Sequence, residues 1–367
     1  MKEHGIKKVK LTEEARKAKL EKDKIKIANY RKLTNRILDL RDSGNYSIGS
    51  LSETTTLLNI NPEFYTVWNF RREILLSLFE KQELDMKQAL EEDLQMVLAH
   101  LKRFPKCYWI WNHRIWCLGQ LQKKHLANWK YELGIVSKLL ELDNRNFHGW
   151  QYRRYVVDNM EKNLPPDQAL VGSLQININE LQYTTTKVNK NISNFSAWHN
   201  RTKLIPKIYQ ILLKVGKTGQ FADEQIFSDP YVTLLHELEL IKTGMYMDAD
   251  DSSVWLYLRW LLTDELFVND LKSHHQVERK SYSDILTQQL EVVEELNELE
   301  IEDHPQHLDN CWCLKSIVLI KSLINRENKK DLMSDEIKEL LLKLIKLDPL
   351  REGKYIDQLE RKESIIS

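Results

Sequence analysis

Glycine and proline are scarce in this sequence, at 11 and 8 of 367 residues, and almost no segment alternates apolar and polar side chains with the period of a strand. A sheet protein needs more turn chemistry than that, so an all-helical chain is expected. Net charge is also missing. The 54 basic side chains balance 54 acidic ones, which argues against a nucleic-acid binder working through a basic face and leaves only a local patch open. No run of about 18 apolar residues occurs, so no segment is expected to span a membrane. The first thirty or so residues are charged throughout and lack the apolar stretch of a signal peptide. The four cysteines, Cys107, Cys117, Cys311 and Cys313, form neither a C-x-x-C pair nor a four-ligand zinc pattern, and are expected to be reduced, half-buried thiols. A soluble cytoplasmic protein follows, in which Asn-x-Ser/Thr triplets such as that at Asn45 are accidental. There is no glycine-rich phosphate loop and no H-E-x-x-H pair.

What the chain does have is a repeated phrase. Aligned on tryptophan it reads NPEFYTVWNFRR, RFPKCYWIWNHR, NRNFHGWQYRR, NISNFSAWHNR, DADDSSVWLYLRW and QHLDNCWCLK. The anchors Trp68, Trp111, Trp150, Trp198, Trp255 and Trp312 are spaced by 43, 39, 48, 57 and 57 positions, the signature of a solenoid of helical pairs. The first four copies carry an aromatic three residues before the tryptophan (Tyr65, Tyr108, Phe147, Phe195) and an arginine three after it (Arg71, Arg114, Arg153, Arg201). The last two have Leu258 and Lys315 at the arginine position. Asn, Pro or Asp ahead of each phrase suits a helix cap and first turn, so a helix is expected to begin at each tryptophan, with the aromatic in the loop before it. An amphipathic stretch such as EEDLQMVLAHLKRFP lies upstream as the other half of the hairpin. Residues three apart share a helix face, so Trp and Arg project together. The tryptophan supplies apolar area, and the arginine is expected to reach the open carbonyls where the neighbouring helix ends. Longer loops are expected over 160–177 and 213–229, and SDEIKELLLKLIKLDPLREGKYIDQLERK should close the array. A charged segment over 1–30, helical with a solvated face at 13–26, precedes one repeat domain over 31–362.

The P-x-x-Y-x-x-W-x-x-R phrase resembles that of the α subunits of protein prenyltransferases, and its copies cover the chain from about residue 50. Within that family, NFHGWQYRR, NFSAWHNR and SVWLYLRWLL look most like the α subunit of the geranylgeranyltransferase type II (Rab) enzymes. The N-terminal HG-x-K-x-V-K and the C-terminal LDPLR…YIDQL look like it too, and Phe147 stands where farnesyltransferase-type subunits usually have Tyr. The resemblance implies a short, fungal-type form folded as a right-handed superhelical crescent, an α-α solenoid of helical hairpins wrapped around a β subunit. That partner would hold the lipid pocket and the zinc, with neither metal nor cofactor in this chain. The implied reaction moves geranylgeranyl from geranylgeranyl diphosphate to C-terminal cysteines of Rab GTPases presented by an escort protein.

The resemblance also implies site residues. Lys106, two residues before Tyr108 in the second phrase, matches the lysine that the family sets against the leaving diphosphate, although Cys107 and Trp109 stand where the family is commonly small or polar. In the third phrase Asn146 and His148 match loop residues near the diphosphate. For His148 a bond to phosphate and a bond to the partner subunit are both open. Two other readings stand beside this one: the α subunit shared by farnesyl- and type I geranylgeranyltransferases, and a non-catalytic helical-repeat scaffold. His304 and His307, and the pair His274/His275, have metal-like spacing but no third ligand nearby, so surface histidines are expected; His4, on the N-terminal tail, could reach a metal in the partner.

Overall fold

The computed structural model describes residues 12–215, 226–227, 229–273 and 279–366, and every regular element among them is a helix. His4 and the pair His274/His275 fall outside these residues, as do 216–225 and 228 of the loop expected over 213–229. The chain divides into two compact units, Met1–Met160 and Glu161–Ser367.

The first unit opens with α1 (Glu13–Asp42), capped by the Thr12 hydroxyl. Only Ile37 of α1 is buried, and the charged run at 13–26 is solvated as expected. The junction foreseen at 30/31 lies inside this helix. Three hairpins follow: α2 (Ile48–Ile60) with α3 (Tyr65–Glu80), α4 (Met86–Arg103) with α5 (Tyr108–Gln122), and α6 (Trp129–Leu142) with α7 (Phe147–Lys162). Their core is apolar at helical spacing, as in α3, where Val67, Trp68, Ile74, Leu75 and Leu78 are all within 1% of full burial.

The second unit continues with α8 (Ala169–Lys190) against α9 (Phe195–Val215) and α10 (Pro230–Met247) against α11 (Ser252–Thr263). A short α12 (Glu265–Ser273) leads to the pair α13 (Tyr282–Asp303) and α14 (Cys311–Glu327). The closing segment forms α15 (Asp335–Leu347), a 3-10 turn at Pro349–Arg351, and α16 (Glu352–Leu359); α15 packs on α14 and α16 on α15.

Three expectations need correction. The second helix of each hairpin starts at the aromatic and not at the tryptophan: α3, α5, α7 and α9 begin at Tyr65, Tyr108, Phe147 and Phe195. The tryptophan therefore sits one turn in, where it can turn back on the loop. The segment 160–177 is a loop only over 163–168, around Pro165 and Pro166. From Ala169 it is helix, because Ser173 and Asn177 can share one face and donate to the Glu161 carboxylate at 2.5 and 3.2 Å. Arg71, Arg114 and Arg201 do reach carbonyls, those of Leu51, Leu94 and Leu181, but these lie within the partner helix and not at its C-terminal end.

Candidate functional site

The first five hairpin loops are each four residues long and are held by the tryptophan after them. The indole N–H donates to the main-chain carbonyl six residues earlier in five copies: Trp68 to Pro62 (2.8 Å), Trp111 to Pro105 (2.9 Å), Trp150 to Asn144 (2.9 Å), Trp198 to Ile192 (2.7 Å) and Trp255 to Ala249 (2.7 Å). The first two of these helices have no side-chain cap at Phe64 or Cys107, whereas Asn146 and Asp251 cap theirs. The tryptophan thus does more than fill space. A phenylalanine would supply comparable apolar area without a donor, so the repeated choice of Trp was the available signal.

Behind the loops Arg71, Arg114 and Arg201 each bridge two hairpins. Arg201 donates back to the Leu181 carbonyl and to the Thr184 and Thr185 hydroxyls, and forward to Glu237 through two guanidinium nitrogens. Arg71 does the same with Leu51, Thr54, Thr55 and Asp93, and Arg114 with Leu94 and Glu132. Arg153 donates to Ser137 Oγ at 2.8 Å. The carboxylates take a third donor from the position two residues after the next tryptophan: His113 on Asp93 (2.8 Å), Tyr152 on Glu132 (2.5 Å) and Tyr257 on Glu237 (2.6 Å). Burial alone would raise the Glu237 carboxyl, but the Arg201 charge and hydrogen bonds from His236, Arg201 and Tyr257 outweigh it and hold it at about 2. Burial drives the Tyr257 and Tyr152 hydroxyls well above the usual phenol range. They stay protonated donors at any physiological pH.

In the first unit the loop side of the hairpins carries a row of aromatic rings. Tyr65 lies 5.1 Å from Trp109, Trp109 lies 5.1 Å from Tyr108, Tyr108 lies 6.1 Å from His148, and His148 lies 3.9 Å from Phe147. Tyr65, Tyr108 and Phe147 are 52%, 48% and 63% exposed, an amphipathic surface of the sort that interfaces use. Lys106 stands exposed in this row, in the loop just before α5, and no carboxylate among the described residues pairs with it. His148 sits beside it: burial lowers the imidazole's pKa, while a hydrogen bond to the Lys106 backbone pulls the other way without prevailing. The imidazole thus packs against the Lys106 loop. Asn146 is nearly fully buried, with its amide on the Pro105 carbonyl (3.0 Å) and its oxygen on the Gly149 N–H (3.0 Å). Lys106, Tyr108 and His148 thus come together at one place, and Asn146 fixes the Lys106 loop from beneath. In the preceding repeat the Cys107 thiol bonds the Pro62 carbonyl at 3.4 Å as Asn146 bonds Pro105. Burial pushes that thiol up to about 11, so it is a structural group and not a nucleophile.

One cluster has the composition of a metal site: ligand atoms of Asp93, His113 and Cys117 lie within 4.8 Å of one another. All are already used or blocked. Asp93 is held by the Arg71 fork, and Arg72 Nε donates to His113 Nδ1 (3.2 Å), so the proton sits on Nε2 and faces Asp93. Burial holds the Cys117 thiol well above its usual range and presses the imidazole down to about 4. Two adjacent guanidinium groups oppose any cation. His304 and His307 turn to their own backbone segment, His307 Nδ1 lying 3.0 Å from the Ile301 carbonyl.

The family model described as the protein prenyltransferase alpha subunit repeat matches residues 50–78, 90–121, 129–160, 178–208 and 234–264. These hold the first five tryptophan phrases; Trp312, with Lys315 in the arginine position, lies beyond them. A Candida albicans protein named geranylgeranyl transferase type-2 subunit alpha is 53% identical over 369 residues, covering 97% of each chain. A Schizosaccharomyces pombe protein of the same name is 41% identical over 359 residues, covering 96% of each. Among solved structures the chain is similar to Candida albicans protein geranylgeranyltransferase-I complexed with GGPP, with TM-score 0.58 and 21% identity over 91% of this chain and 90% of that one. That likeness is one of fold.

Proposed function

The chain belongs to the protein prenyltransferase alpha subunit family, and from that premise we propose that it is the α subunit of a type-2 geranylgeranyl transferase, active as a heterodimer with a β subunit. The observation that carries the reading is the 53% identity to a protein of that name across 97% of both chains. The reaction joins a cysteine thiolate of a Rab GTPase to C1 of geranylgeranyl diphosphate. The C–S bond forms as the C–O bond breaks, and diphosphate departs with the electron pair. A zinc ion in the β subunit would supply a thiol ionised at neutral pH.

This chain's share is electrostatic. Charge grows on the leaving oxygen, so a cation fixed near it stabilises the transition state more than the ground state. Lys106 is such a cation: exposed on a loop whose carbonyls are held by Trp111, Asn146 and His148. Tyr108 beside it offers a hydroxyl to the same anion, and the aromatic row around them would cover the β subunit. His148 stands beside the lysine loop, where it would either donate to a phosphate oxygen or bond the β subunit. No described helix is long and apolar enough to cross a membrane; the heterodimer would work in the cytoplasm, on Rab tails not yet carrying lipid.

Reconstitution tests the reading. The isolated chain should transfer nothing, and activity should appear when the β subunit is added. Rab with an escort protein should be modified efficiently, Rab alone and a short C-a-a-X peptide poorly. Fast modification of the peptide would assign the chain to the farnesyl/type I enzymes, and inactivity with every β subunit would leave a scaffold. Lys106→Ala should slow single-turnover transfer on the order of 10–1000-fold while the heterodimer elutes unchanged; a wild-type rate would reduce Lys106 to a surface lysine.

A further inference from the structure

The second unit contains a cavity of about 200 Å³ floored by α11, α14, α15 and α16, with Trp255, Leu319, Leu341 and Leu344 on its apolar walls. Four cations line it, Arg259, Lys315, Arg351 and Lys354, and among the described residues lining it none is acidic. Asp348 compensates two of them, at 2.7 Å from Lys315 and 3.0 Å from Arg351. The other two face the chain's own end. Beyond α16 the backbone reverses at Arg361, whose φ is +59°, and the tail returns to the groove. Ile365 joins its lining, the Ile366 carbonyl accepts from Arg259 at 3.0 Å, and Glu363 lies 3.4 Å from Lys354.

The tail thus displays the chemistry that the groove selects: an acidic residue followed, two positions on, by paired branched aliphatics whose main chain meets a guanidinium. It is also lightly held. The Glu363–Lys354 pair is largely solvated, and such pairs contribute little; both isoleucines are only half-buried. We propose that this groove is a binding site for an extended segment of a partner polypeptide with that acidic, paired-aliphatic pattern, and that residues 363–366 fill it in cis as a tethered competitor. The site is independent of the lysine loop and of the transferase reading.

A tethered segment acts at an effective concentration on the order of 1 mM, so a tail whose own intrinsic Kd for the groove is about 100 µM would weaken the binding of a partner segment roughly tenfold. The test uses the full chain and a fluorescein-labelled peptide of sequence KESIIS, followed by anisotropy. Ile365→Ser with Ile366→Ser should bind the peptide about tenfold more tightly than wild type, and adding Arg259→Ala should remove the gain. Equal affinity for wild type and the double variant, or no binding to a double variant with an unchanged thermal melt, overturns the proposal. Should that variant fold poorly, wild type is digested with a carboxypeptidase in excess peptide. KESIIS should speed release of the C-terminal residues and KESSSS should not; identical rates with both overturn the proposal.

Discussion

Arg201 and Glu237 meet almost without solvent, each 1% exposed at the side chain. A buried pair of this kind contributes little net stability over an apolar pair of the same shape, but breaking it strands a charge. Arg201→Met should therefore cost about 3–5 kcal/mol, and adding Glu237→Leu should return most of it; equal losses in the single and double variants, read from denaturant melts, would contradict this. His113 sets a pH dependence. Its folded pKa, about 4, lies below the ordinary 6.5, so the unfolded chain takes up a proton first as the medium acidifies. Its contribution is complete above pH 6.5 and declines as pH falls through 6.5 to 4. His113→Gln should flatten that part of the stability profile while leaving in place the lower limb set by the Glu237 carboxyl, at about 2. The arginines were legible from their fixed offset to tryptophan. Their carboxylate partners were not, because Asp93, Glu132 and Glu237 lie 22, 18 and 36 residues from them, and no local period links the two.

At the scale of the element, the helices were legible and their starts were not. Apolar spacing marks where a helix runs, but Tyr65, Tyr108, Phe147 and Phe195 are substantially exposed and carry no core signal at the first turn. What fixes the boundary is the indole bond back to the loop, an interaction that only three dimensions reveal. Trp198→Phe keeps most of the apolar fill and leaves the Ile192 carbonyl without that donor, a loss of about 1–3 kcal/mol. Hydrogen exchange should accelerate at residues 191–194 beyond what the global loss of stability accounts for. Uniform acceleration along α8 and α9 would mean that the tryptophan acts through packing alone.

Across the whole molecule, the helical class and the family could be read from phrase order, since five of six copies fall in matched repeat segments. The tail groove could not, because it brings together α11, three C-terminal elements and a reversal after α16. Within the second unit the strongest packing joins elements close in order, such as α8 with α9, α13 with α14, and α14 with α15. Such an array has stability that is nearly a sum of nearest-neighbour terms. Arg201→Met should accordingly release amide protection in α8, α9 and α10 and leave α14 and α15 close to wild type. Simultaneous loss throughout the unit would mean that it unfolds as one block.

The indole-to-carbonyl bond has an evolutionary corollary. Because it grips main-chain oxygen, it is indifferent to the side chain at the crest of the loop, five residues before each tryptophan. That crest holds Glu63, Lys106, Arg145, Ser193 and Asp250 in successive copies. One mould thus presents an anion, two cations, a hydroxyl and another anion, and a single codon can change what is presented without recasting the mould. Each of these hairpins is thus a socket whose backbone is set by the indole and whose chemistry is set by one side chain alone.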